Sequence, residues 1–84
     1  MTARALVVDA ATGEIKRKIV GNPAMFALQA DTDSGEALFA LVEDDGSFID
    51  DANLIVSETG EWEPREGAPE WVTLPGAMIE YVAP

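Results

Sequence analysis

A mainly β fold is predicted, a small antiparallel sheet or sandwich of hairpins with at most one short helix, and three observations predict it. Three short segments share one turn pattern ending in Gly: Ala10-Ala11-Thr12-Gly13, Glu43-Asp44-Asp45-Gly46 and Ser57-Glu58-Thr59-Gly60. Each is flanked by β-branched and aromatic residues, the side chains that suit a pleated, half-buried surface. Only one stretch of the chain has helical spacing.

The turns set the elements in order. A type I turn followed by Gly in the left-handed region closes a hairpin with a bulge, because Gly takes that conformation without a Cβ penalty. The strands expected on this basis are 3–9, 14–20, 36–43, 47–57 and 61–64. Their register follows from the turn, so that Asp9 faces Ile15, Val42 faces Phe48 and Val56 faces Trp62. The fourth strand carries Asp50 and Asp51 in its middle, which marks a bulge or a break. Between the second and third strands Asn22 is placed to cap and Pro23 to open a helix of two turns at most. Such a short helix is held only by packing, here through Phe26 and Leu28. Leu74-Pro75-Gly76-Ala77 has Pro and Gly where a type II turn wants them and predicts a last hairpin between 70–73 and 78–82. Residues 1–84 are thus one domain, with the Pro-flanked loop 63–69 separating a C-terminal hairpin, 70–83, from the rest. Both ends of the chain are expected to be paired, inside the domain or against a partner.

Eighty-four residues leave little interior. Thirteen of the forty apolar residues are Ala, so the core is thin and association would help it. With no Cys, neither a disulfide nor a thiolate metal site can supplement that core. Sixteen acidic residues against five basic ones give a net charge of −11, a field that repels phosphate and anionic lipid. No apolar run reaches the roughly 18 residues of a membrane span, and no charged-then-apolar leader follows Met1. A soluble chain that binds neither nucleic acid nor membrane is the expectation.

Chemistry-bearing patterns are sparse. The absence of His and Cys removes the usual general base, the commonest metal ligand and the best nucleophile. The densest carboxylates lie in "EDDGSFIDD". Placing Gly46 at the sixth position of a calcium loop puts Leu41 first and Ala52 twelfth, so the EF-hand pattern fails. An improvised ion site would have to use Asp44, Asp45, Asp50 and Asp51, and solvated turn carboxylates explain them better. A two-carboxylate glycosidase needs a sugar-holding cleft that this length does not provide. No enzyme activity, metal, cofactor or small-molecule substrate is therefore expected.

Interface residues are the better candidates. In "EIKRK" strand alternation separates Lys16 and Lys18 from Arg17, which makes no phosphate track. Lysines on an edge strand discourage unwanted pairing. Arg17, sharing a face with Ile15 and Ile19, suits a salt bridge or a neighbour. Trp62, Trp71 and Tyr81 gather in the C-terminal third, and Trp71 alternates with Val72 and Leu74 in a segment too apolar to stand uncovered. Arg17, Trp62, Trp71, Leu74 and Tyr81 are the expected contacts with other subunits.

The order "VVDAATGEIKR", "GNPAMFALQA", "GEALFALVEDD" resembles small proteins encoded in the structural gene blocks of tailed bacteriophages. In those, a V-x-D-x-x-T-G-x-I-x-R opening precedes a short A-L-Q-A element and a G-E-A strand. The resemblance covers residues 6–43 and carries no catalytic residues. It implies a virion structural protein of tail, fibre or capsid-decorating type, assembled in the host cytoplasm. Its partners would be other virion proteins and further copies of itself. A free acidic adaptor or inhibitor of a basic host protein is the alternative, although the acids cluster in turns rather than along one strand face.

Overall fold

The computed structural model describes residues 3–83 and is mainly β, with six strands. They are β1 (Ala3–Asp9), β2 (Ile15–Gly21), β3 (Glu36–Val42), β4 (Leu54–Val56), β5 (Trp62–Pro64) and β6 (Met78–Val82). Four form an antiparallel sheet in the order β2-β1-β3-β6, and β4 and β5 form a separate hairpin. Central β1 and β3 carry apolar residues on both faces, as strands covered on both sides require. On one face Leu6, Val8, Phe39 and Leu41 pack with Ile49, Leu54 and Val56 from the second sheet and the loop before it. On the other, Ala5, Val7 and Leu38 meet Phe26. Phe26 lies in a 3-10 helix, Pro23–Leu28, that Asn22 caps by accepting the Ala24 N–H at 3.0 Å. Phe26 is its one buried residue; Leu28, expected against the sheet, is exposed. A second 3-10 turn, Thr32–Ser34, is capped by Asp31 and leads into β3.

The first turn holds the two sheets together. Gly13 (φ +79°) accepts the Val56 N–H at 2.8 Å, and Glu14 bridges to Ile55. The loop is one residue longer than the shared turn pattern requires. Ala10, whose N–H would have paired with Glu14, donates to Gly35 at 2.8 Å, and Asp9 pairs with Glu14 in its place. The Asp9 carboxylate stabilises the loop by accepting from Ala11 at 2.8 Å. Ile15 therefore faces Val8, not Asp9, and Lys16 bulges out between it and Arg17. Ser57 to Glu61 follow the pattern as expected, and Val56 faces Trp62.

Two expected hairpins do not form. Val42 pairs with Met78 and not Phe48, because the turn at Asp44 and Asp45 bonds to itself: Asp44 accepts from Gly46 and Asp45 from Ser47, each at 2.9 Å. Arg4 ties this turn down through Asp44 and through the Ser47 carbonyl at 2.9 Å. Strand 47–57 shrinks to Leu54–Val56, broken at Asp50, whose carbonyl accepts the Leu54 N–H at 3.0 Å. In the C-terminal segment, 70–73 stays irregular and β6 crosses to β3, where Ile79 and Tyr81 lie opposite Leu41 and Phe39. That pairing covers the open side of the most apolar strand, a larger gain than a local hairpin over Trp71 would bring.

Candidate interaction surface

The sheet has two edges, and they are built differently. β2 carries three consecutive cations and the bulge at Lys16. The bulge breaks alternation, so Lys16 and Arg17 converge on one carboxylate, Glu36, at 3.3 and 3.1 Å. Lys18 lies on the opposite face, donating to the Ile49 carbonyl at 3.2 Å with its ammonium 5.5 Å from the Phe48 ring centre. Bulges and edge cations both obstruct strand addition, so β2 is a closed edge. By contrast β6 runs in unbroken register beside β3 and pairs with nothing on its outer side among the described residues. Alternate residues of such an edge point N–H and C=O groups into solvent. Its single charge is Glu80, and Met78 and Tyr81 are more than half exposed.

Exposed apolar residues continue from that edge. Leu74 and Met78 border one hollow with Trp62 and Ile79; Phe48, Trp71 and Leu74 border the next. Trp71 is 72% exposed and Phe48 80%, a large apolar area for a chain of this size. Trp62 holds the surface in place: half-buried, it donates from Nε1 to the Ala77 carbonyl at 2.7 Å and fixes the approach to β6. Tyr81 leans edge-on against Phe39, centroids 5.7 Å apart, on the rim of a hollow of about 630 Å³ between the first and third turns.

Of the residues singled out in the sequence, the fold thus brings Trp62, Trp71 and Leu74 together and sets Tyr81 on the adjoining edge. Arg17 lies on the other edge, where its guanidinium bonds both oxygens of Glu36 at 3.1 Å and the Gln29 carbonyl at 2.8 Å. Phe48 and Met78 were not singled out. The assumed Val42 to Phe48 pairing had hidden Phe48, and Met78 read as one strand of a hairpin.

Four of the five cations bond within the fold. Arg4 pairs with Asp44, Lys16 and Arg17 with Glu36, and Lys18 with a carbonyl, while of sixteen carboxylates only Glu36 and Asp44 are ion-paired among the described residues. No three carboxylates converge into a metal-sized cluster among those residues; Asp44, Asp45 and Asp50 bond to their own loops. No described helix is long and apolar enough to cross a membrane. Arg17, the Asp31 N–H and Lys16 hold Glu36 down to about 2; Arg4 and the Gly46 N–H hold Asp44 at about 2.

A carboxylate lowered in the folded state adds stability that is present above its ordinary value and lost as pH falls through the folded one. The Glu36 contribution is therefore expected to vanish between about pH 4.5 and about pH 2. In Glu36→Gln that part of the acid response should disappear: the variant is less stable than the parent at pH 7 and the gap closes toward pH 2. Denaturant titrations at a series of pH values check this, and a gap independent of pH would contradict it.

Comparison with protein-family models, curated proteins and solved structures finds no match for this chain.

Proposed function

We propose that this chain is a non-enzymatic assembly protein that docks on a larger protein by accepting a strand along β6, with Leu74 and, beyond it, Trp71 packing beside it. The observation that carries this reading is the asymmetry of the edges: β2 is obstructed by a bulge and cations, whereas β6 is regular and open beside the exposed apolar surface. Strand addition draws affinity from main-chain hydrogen bonds and specificity from alternate side chains, which suits a protein with a thin core. The setting comes from the resemblance of residues 6–43, which makes the larger protein a tail, fibre or capsid component of a bacteriophage particle and this chain part of the virion.

Trp71 and Leu74 are exposed, so replacing them should leave folding nearly untouched, within about 0.5 kcal/mol. The double variant Trp71→Ala, Leu74→Ala should nevertheless be incorporated into particles at least about ten-fold less well than the parent. Denaturant unfolding reads the first quantity and mass spectrometry of purified particles the second. Particles that lack the parent chain, or that take up the variant fully, would overturn the reading.

A further inference from the structure

Resting on the docking reading above, we propose that the strand received by β6 is basic and amphipathic, with Lys or Arg on the face of Glu80 and large apolar residues on the face of Ile79 and Tyr81. The register fixes these faces. Ile79 and Tyr81 lie opposite Leu41 and Phe39 and belong to the face that packs on the second sheet. Glu80 lies opposite Ala40 on the other face, exposed, and is the one charge of the edge. An incoming strand alternates in the same way, so one of its faces meets a carboxylate and the other meets an aromatic ring and an isoleucine.

Charge complementarity selects the occupant. Four of the five cations are engaged elsewhere, Arg4 on Asp44, Lys16 and Arg17 on Glu36, Lys18 on the Ile49 carbonyl, and the fifth, Arg65, borders a different hollow with Glu14, Asp51 and Glu66. Near the edge, Glu61 borders the Leu74 and Met78 hollow and Asp50 the Trp71 hollow, and neither is ion-paired among the described residues. An acidic or neutral strand would meet repulsion or gain nothing from this field; a basic one is attracted from a distance and held in register at Glu80. A second copy of the chain is a poor occupant. Antiparallel pairing of two β6 strands over all five residues sets one Glu80 against the other, and each copy brings a net charge of −11.

The test uses the full chain, labelled with nitrogen-15, and four blocked heptapeptides. The first alternates Lys with Val; the second and third replace every Lys with Thr or Glu; the fourth has the composition of the first with lysines and valines in separate blocks. Expected is a set of amide shifts confined to β6 and the Trp71 region with the first peptide, bound about ten-fold or more tighter than the Thr peptide. Raising salt from about 0.05 to about 0.5 M should erase most of that difference. Glu80→Gln should weaken the preference for the Lys peptide, and Glu80→Lys should weaken it further.

Equal binding of the alternating and block peptides, with shifts spread over the acidic turns, would overturn the proposal as unspecific attraction of a polycation. Preference for the Thr peptide at β6 would overturn the basic strand while leaving strand docking intact. Binding of none of the peptides, or concentration-dependent protection of β6 in the chain alone, would also overturn it, the latter by making a second copy the occupant. The docking reading itself stands or falls separately, on incorporation of the Trp71 and Leu74 variant into particles.

Discussion

Gly13→Ala is expected to lower the unfolding free energy by roughly 3 kcal/mol or more. Two effects add. Gly13 sits at φ +79°, where an L side chain costs about 1 to 2 kcal/mol. A Cβ there would also lie 2.2 Å from the Val56 carbonyl oxygen, a backbone atom that cannot swing aside. The turn must then part from β4, losing the Val56 to Gly13 hydrogen bond and loosening the packing of Leu54 and Val56 on the main sheet. Gly35 separates the two effects, since it has the same φ and a methyl group placed there would meet nothing within 4 Å. Gly35→Ala should cost only the conformational part, about 1 to 2 kcal/mol. Chemical denaturation of both variants checks the difference; equal losses would show that the contact with Val56 holds nothing.

Phe26→Ala should cost roughly 3 to 5 kcal/mol, the range for removing a buried aromatic ring. Phe26 is 2% exposed and, among the described residues, the only large ring in its cluster, covering Ala5, Val7 and Leu38. The neighbours Ala5, Val7 and Leu38 are fixed on the central strands, so the space is filled only in part. A domain of this length has a total stability of roughly 4 to 13 kcal/mol, which makes either loss a large share. Leu28→Ala, two residues on but 74% exposed, should change stability by less than about 0.5 kcal/mol. Thermal and denaturant unfolding distinguish the two. Similar losses from both would mean that the 3-10 helix docks through a different face.

Local chemistry was legible in the sequence. Thr59 and Gly60 turn the chain as their types demand, Val56 meets Trp62, and Asn22 with Pro23 starts the short helix. What could not be read is non-local. Turn residues specify which neighbours can pair, but the choice of β6 as the partner of β3 depends on burying Phe39 and Leu41 from across the chain. The one-residue difference at the first turn has the same origin, because Ala10 bonds to Gly35, twenty-five positions away. That small shift decides the character of the β2 edge. It creates the bulge at Lys16, joins two cations, Lys16 and Arg17, to Glu36 and closes the β2 edge. The apolar character of the C-terminal third was legible, and Trp71, Leu74 and Tyr81 are exposed; the open strand beside them was not legible.

Hydrogen exchange along the two edge strands tests the central claim most directly. In the free chain, alternate amides of Met78–Val82 should exchange rapidly, as solvent-facing groups of an unpaired edge. If the proposed docking holds, those amides should become protected in the assembled state, while those of Ile15–Gly21 keep the rates they had in the free protein. Protection that appears along β2, or an assembled state in which β6 still exchanges freely, would contradict the account.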